Sequence, residues 1–420
     1  MHDFQFKDAE LFAEKIPVRK IIEEVGTPFY LYSANTISNH FKAFDSAFEK
    51  VPHTVCFAAK SCSNIAILRL LAGLGAGMDI VSGGELHRAL LAGVDPGKIV
   101  YAGVGKTKEE IKYALETGIM MFNVESTQEL FAIDEAAEDL GKKARVSLRV
   151  NPDVDPKTHP YISTGLKQNK FGINIDDAFE EYKLAKGLEN IEVVGIQKHI
   201  GSQITQISPF VDALEKVVNL ANRLRDEAGI NIQYLDIGGG LGITYKDESP
   251  PHPRELAAAI VPMLEKTGYT IVFEPGRLIM GNAGVLVAKV LYTKVNEGKN
   301  FVIVDAGMND LVRPSLYGSY QEIIPVVKKN GKPKIVADIV GPICESGDFL
   351  AKDRTLPTFE QGDFLAVMSA GAYGFSMSSN YNSRPRVAEV LVKGDEFHVI
   401  RRRESYEDLV RGEEIPAFLK

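Results

Sequence analysis

The chain has no tryptophan and only three cysteines, Cys56, Cys62 and Cys344, in 420 residues. An odd number of thiols cannot all pair, and three are too few for a disulfide framework. No C-x-x-C spacing marks a zinc site, so reduced thiols and no metal are expected. Apolar runs of the roughly 18 residues that a membrane helix needs are also missing. The N-terminus, MHDFQFKDAELFAEK, lacks the basic-then-apolar pattern of a secretory signal. The expectation is a soluble, cytoplasmic protein with no membrane partner. Nor is there an excess of base: 48 Lys and Arg against 56 Asp and Glu leave a net charge of −8. A chain of that sign does not gain its affinity by neutralising phosphate backbones, which argues against nucleic acid as a partner.

Apolar residues make up 45% of the chain and charged residues 25%, enough to bury a large core. At about 150 residues per domain the length suggests two or three domains, and a barrel of about 250 residues counts as one. From residue 54 to 277, short runs rich in Val, Ile and Phe alternate with segments of helical periodicity. The strand-like runs are TVCFAAK (54–60), GAGMDIVS (75–82), KIVYAGVG (98–105), IMMFNVES (119–126), ARVSLRVN (144–151), EVVGIQKHIG (192–201), QYLDIGGG (233–240) and TIVFEPGR (270–277). Between them lie amphipathic stretches such as TKEEIKYALETG and PFVDALEKVVNLANRLRDEAG, often ending in Gly. Eight such repeats predict an α/β fold, a (β/α)8 TIM-type barrel, in preference to an open doubly wound sheet. After residue 283 the rhythm changes to strands without long helices, GVLVAKVLYTKV, KNFVIVDAG, KPKIVADIVGP, GDFLAVMS, RVAEVLVKG and EFHVIRRR, separated by turn residues. These predict a second, mostly antiparallel β domain. TPFYLYS near the N-terminus is a further strand whose allegiance, to this domain or to the barrel, stays open. The expected division is a barrel over 30–282 and a β domain made of 1–29 and 283–420.

A barrel's chemistry sits at the C-terminal ends of its strands. The runs end in Lys60, Asp79 with Ser82, Glu125, Arg149 with Asn151, His199 with Ser202, Asp236 with Gly238 to Gly240, and Glu274 with Arg277. Each alone reads equally as a solvated loop residue or a buried ion pair; their common placement at one rim points to a site. GGGLG after the seventh run and EPGR after the eighth stand where barrels commonly bind phosphate, and bare glycine backbone can approach an anion closely. Two other patterns fail. GVGKT (103–107) has Val100 where a P-loop needs its first glycine, and GGGLG lacks the third glycine and the first-strand context of a dinucleotide site. A lysine opposite a phosphate cup suggests pyridoxal phosphate, which needs an amine for its aldehyde, a phosphate cradle and a carboxylate for its pyridine nitrogen. Lys60 and Glu274 supply the first and last, and His199 can lie against the ring. In the second domain, GPICESGDFL concentrates Cys344, Glu345 and Asp348, with Cys344 a candidate proton donor. Arg313, Tyr317 and Tyr373 lie in RPSLYGSY and SAGAYGFSMSSNYNSRPR.

Together FAAK, GAGMDIVSGGEL, KFGI, HIGSQ, GGGLG, EPGR, RPSLYGSY, CESGD and SAGAYGFSMSSNYNSRPR resemble the fold-type III pyridoxal phosphate-dependent decarboxylases over nearly the whole chain. The resemblance implies that Lys60 carries the cofactor and His199 stacks on its ring. It assigns the phosphate to Ser202, Gly239, Gly240, Gly276 and Arg277, and the pyridine nitrogen to Glu274. Asp79 and Tyr373 are further implied cofactor contacts. It implies a homodimer with active sites at the subunit interface, where Cys344 donates a proton and Arg277, Arg313, Tyr317, Glu345 and Tyr373 hold the amino-acid substrate. Within the family, Glu after the cysteine and several arginines suit a substrate with a distal amine and carboxylate. The implied reaction is decarboxylation of meso-2,6-diaminopimelate to L-lysine and CO2, the last step of lysine biosynthesis. Carboxynorspermidine, ornithine and arginine are the nearest alternative substrates. A non-catalytic homologue is disfavoured by the intact Lys60, Glu274 and Cys344, and a racemase by CESGD. Ser61, Cys62 and Gln321 depart from the family's usual residues.

Overall fold

The computed structural model of the chain describes residues 2–155, 170–329 and 331–420. It divides into two compact units, Ser38–Ile279 and Met1–Ile37 with Met280–Lys420.

The first unit is the predicted barrel. Its strands are His53–Ala58, Gly77–Ile80, Ile99–Tyr101, Met121–Val124, Ala144–Asn151, Ile191–Gln197, Tyr234–Asp236 and Thr270–Phe273, referred to below as strands one to eight. All neighbours pair in parallel, the eighth beside the first and the fourth beside the fifth, so the sheet closes without a free edge. A strand covered on both faces is buried throughout, and Met121–Val124 is buried at every position, Asn123 included. Cys56, Val100, Met121, Val194 and Val272 pack as one cluster, which gives Cys56 a place in the core. The helices start where side chains satisfy the first free N–H groups. Ser82 and Ser126 accept from the N–H groups of Glu85 and Glu129, and Thr107 forms a reciprocal capping box with Glu110. Tyr182, on the helix Ile175–Gly187, satisfies the ladder where the fifth and sixth strands slip register beside Gly195. Its hydroxyl donates to the Gly195 carbonyl at 2.8 Å and accepts from Leu148 N–H at 3.2 Å.

In the second unit, the strands Phe349–Pro357, Lys334–Val340, Lys299–Val304, Gly284–Asn296, Phe29–Ser33, Ala388–Lys393 and Glu396–Arg401 follow one another across a sheet. Most pairs are antiparallel, as the turn-punctuated sequence predicts. TPFYLYS belongs here: Phe29–Ser33 lies antiparallel to Gly284–Asn296 and parallel to Ala388–Lys393. Phe29, Leu31, Val285, Val287, Val390 and Val392 face a core that the N-terminal residues Leu11, Ile16, Val18 and Ile21 complete. Among the described residues no helix is long and apolar enough to cross a membrane.

Candidate active site

Lys60 follows the first strand in the short turn Ala59–Ser61. Its ammonium donates to Oδ2 of Asp79, on the second strand, at 2.5 Å. Asp79 is fully buried, whereas the Lys60 side chain keeps 37% of its surface. The side chain is therefore tethered to a buried carboxylate while part of it stays exposed, which suits a nucleophile. The other oxygen of Asp79 has no hydrogen-bond partner among the described residues.

Across the barrel, Asp236 ends the seventh strand and Glu274 follows the eighth, both buried. Among the described residues, the hydrogen-bond donors that reach them are neutral. Asn123 Nδ2 donates to Asp236 at 3.0 Å and to Glu274 at 3.2 Å, Gln197 Nε2 donates to Glu274 at 3.3 Å, and the Gly238 N–H donates to Asp236 at 2.9 Å. Burial pushes both acids up, Asp236 to about 6 and Glu274 well above the usual carboxylate range, with the charges of Asp236 and Asp79 adding to the rise at Glu274. Asn123 Oδ1, Gln197 Oε1 and Ser147 Oγ also lie buried without partners among the described residues. The interior thus holds two carboxylates short of positive charge and several polar atoms short of bonds.

The glycine loops lie against one another. Gly238 and Gly240 have φ of 68° and 110°, conformations that side chains resist. A Cβ at Gly239 would fall 2.2 Å from the Glu274 carbonyl oxygen, and one at Gly240 would fall 2.4 Å from that of Gly201. At Gly276 it would press on Ala58 and Ser61. Arg277, buried, donates from Nη2 to Ser202 Oγ at 2.9 Å and from Nη1 to Tyr245 at 2.7 Å. His199 Nδ1 accepts the Gly239 N–H at 3.2 Å, which places its proton on Nε2 and leaves the ring neutral. Burial, then Arg149, Lys60 and Lys198, hold it well below the usual histidine range.

On the fourth and fifth strands the rim is built differently. Arg149 pairs with Glu125 at 2.8 Å and Lys106 with Glu129 at 2.6 Å, all four nearly solvent-free. The Glu125 carboxylate also accepts the N–H groups of Gly172 and Gly103, and the Arg149 guanidinium lies 4.7 Å from the centre of the Phe171 ring.

The remaining expected residues belong to the second unit. Arg313, buried, opens the helix Arg313–Tyr317 with its guanidinium 5.3 Å from the centre of the Tyr317 ring. Cys344 and Glu345 are exposed on a turn; the Cys344 N–H donates to Asn382 at 2.8 Å and Glu345 bonds the Tyr381 hydroxyl. Asp348, buried, braces that turn by accepting the N–H groups of Ile343 and Met308, each at 2.6 Å. Tyr373 adopts φ of 56° between Gly371 and Gly374, where added Cβ atoms would meet carbonyl oxygens at 2.1 and 2.3 Å. Gln321 is fully buried, and its amide has no partner among the described residues.

Residues 34–281 match the model of the pyridoxal-dependent decarboxylase family, pyridoxal binding domain. The chain belongs to the pyridoxal-dependent decarboxylase family. Within that family, it is 53% identical over 410 residues to the diaminopimelate decarboxylase of Haemophilus influenzae, covering 97% of this chain and 98% of that one. With the diaminopimelate decarboxylase of Pseudomonas aeruginosa it shares 54% over 99% of both. The diaminopimelate decarboxylase of Helicobacter pylori, solved with L-lysine, superposes with a TM-score of 0.90 at 45% identity, covering 94% and 98% of the two chains.

The cofactor of this family of decarboxylases is pyridoxal phosphate, and the barrel fits it. A pyridinium would give the Asp236 and Glu274 carboxylates the cation they lack, and the glycine backbone with Ser202 and Arg277 offers donors of the kind a phosphate requires. Asn123, Gln197 and Lys198 were not singled out from the sequence. The signal for Asn123 and Gln197 was a polar residue inside an otherwise apolar strand, MFNV and GIQ, where a fully buried position admits one only with a partner.

Proposed function

We propose that the chain decarboxylates meso-2,6-diaminopimelate to L-lysine and CO2, the last step of lysine biosynthesis, as a cytoplasmic homodimer. The observation that carries this reading is sequence identity above 50%, over nearly the whole length, to diaminopimelate decarboxylases. Support from the barrel is the partly exposed lysine after the first strand and, after the seventh and eighth, two buried carboxylates with no salt bridge among the described residues. When bound, pyridoxal phosphate supplies the electron sink for the pair left at Cα as the carboxylate departs.

The chain's own groups have separate tasks. Lys60 holds the cofactor's aldehyde end, with Asp79 fixing the amine, and Glu274 keeps the pyridine nitrogen protonated. His199, neutral and held by Gly239, packs against the ring without competing for protons. Ser202, Gly239, Gly240, Gly276 and Arg277 take the phosphate. Cys344 and Glu345 serve the partner subunit's barrel: the thiol returns a proton to Cα and the carboxylate pairs with the substrate's distal amine. Arg277, Arg313, Tyr317 and Tyr373 complete the hold on substrate and cofactor, the arginines gripping the distal carboxylate.

The test is product identification. Purified protein with pyridoxal phosphate and meso-diaminopimelate should release equimolar L-lysine and CO2, with ornithine, arginine and carboxynorspermidine turned over far more slowly. Faster turnover of any of these three would overturn the substrate.

A further inference from the structure

Cys344 and Glu345 sit at the exposed tip of a turn between the strands Lys334–Val340 and Phe349–Pro357. A proton donor on such a turn has no ladder of its own to hold it, and a shift of about 1 Å at a reacting group can cost about a hundredfold in rate. The turn is held instead by ties to three other segments. At its base the Asp348 carboxylate, nearly solvent-free, fills a cradle that two glycines leave open: a Cβ at Gly341 would fall 2.5 Å from Asp348 Oδ2, and one at Gly307 would fall 2.9 Å from Oδ1. The N–H groups that this carboxylate accepts, from Ile343 and Met308, join the turn to the segment 306–310. At the tip Asn382 accepts the Cys344 N–H at 2.8 Å, and the segment carrying Asn382 is itself tied back by the Ser379 N–H, which donates to the Asn309 carbonyl at 2.9 Å. The third tie is short: Ser315 Oγ donates to the Gly347 carbonyl at 2.5 Å. Ser315 lies on the helix Arg313–Tyr317, between the two residues read as substrate contacts.

We propose that Ser315 is a positioning residue of the reaction, a latch that fixes the turn bearing Cys344 and Glu345 at one spacing from the helix bearing Arg313 and Tyr317. This rests on the reading of Cys344 as the proton donor. The turn is also closed on itself, with the Asp348 N–H donating to the Glu345 carbonyl at 3.1 Å and the Phe349 N–H to that of Gly347 at 3.0 Å. A turn closed in this way answers the loss of an outside tie by pivoting as one piece, and the pivot carries the Cys344 thiol with it. The helix is the fixed partner, because its first residue, Arg313, is buried. The latch needs only a hydroxyl, which threonine keeps and alanine lacks.

The test compares wild-type holoenzyme with Ser315→Ala, Ser315→Thr and Asp348→Asn on meso-diaminopimelate. It reads kcat, KM and, in D2O, which face of the new CH2 group of lysine receives the deuteron, with circular dichroism confirming the fold. Wild type should deliver the deuteron to one face. Ser315→Ala should lower kcat about three- to tenfold, the worth of one hydrogen bond, with little change in KM, and should spread part of the deuterium over both faces. Ser315→Thr should restore the rate and the single face. Asp348→Asn, which puts an amide donor where the cradle needs an acceptor, should lower kcat further. A Ser315→Ala protein with wild-type kcat, a loss confined to KM, or a loss that threonine does not restore in folded protein would overturn the proposal. Cys344→Ala, run in parallel, separates the two ideas. If it keeps full activity, the reading of Cys344 fails; if it is impaired while Ser315→Ala matches wild type, only the Ser315 proposal fails.

Discussion

The two sides of the barrel rim treat buried charge in opposite ways. Beside the fourth and fifth strands the buried charges of Lys106, Glu129, Arg149 and Glu125 are paired with one another. The Lys106 ammonium spends its donors on Glu129 and on the carbonyls of Gly103 and Asn123, and Glu125 holds Arg149 and two backbone N–H groups. Beside the seventh and eighth strands Asp236 and Glu274 make no salt bridge among the described residues, are served by neutral donors, and are pushed up as acids. Both networks are buried and polar, and either would look functional from its residue types alone. Completeness separates them: a closed network holds the fold, and an open one is waiting for a ligand's charge.

The largest effect expected on the open side is from Lys60→Ala. Turnover should vanish and the cofactor's bound absorbance with it, while Asp79 loses its cation and the fold weakens. Adding Asp79→Asn should return stability without activity, measured by melting and lysine release; recovery of activity in the double variant would break the distinction. On the closed side Glu125→Gln should cost about 3 kcal/mol of stability by stranding the Arg149 charge, and Glu125→Gln with Arg149→Met should recover part of it in denaturant unfolding. A single variant that unfolds no more easily than wild type would make this network as open as the other. Glu274→Gln should do the reverse, lowering kcat by about 10²-fold while the melting temperature of the cofactor-free protein holds or rises.

The sequence made the open side partly legible, because residues such as Lys60, Asp79, Asp236 and Glu274 end their strands, and strand ends follow from periodicity. The donors that serve the carboxylates were not legible. Asn123 and Gln197 sit within apolar runs, and their partners at 236 and 274 come from distant strands that only barrel closure brings near. The β strand at Phe29–Ser33 was legible as a strand but not as to sheet, because its partners lie more than 250 residues away at 284–287 and 388–392. Cys344 and Glu345 stood out through the company they keep in CESGD, not through any period.

The smallest effect tests the open side through pH. An acid whose folded pKa is raised binds its proton more tightly when folded. Stability from Asp236 and Glu274 is therefore fully present only below the unfolded carboxylate range of about 4. It declines as pH rises through the folded value of Asp236, about 6, and through the raised range of Glu274. Melting of the cofactor-free protein between pH 5 and 8 should carry this downward slope, and Glu274→Gln should flatten it by removing one of the two titrating groups. Glu125→Gln should leave the slope in place while lowering the whole curve. Pyridoxal phosphate should also flatten it, because a protonated ring nitrogen compensates the carboxylates in the folded state. An equal slope in wild type and Glu274→Gln would mean that the pair is already balanced, and the contrast between the two sides of the rim would fail.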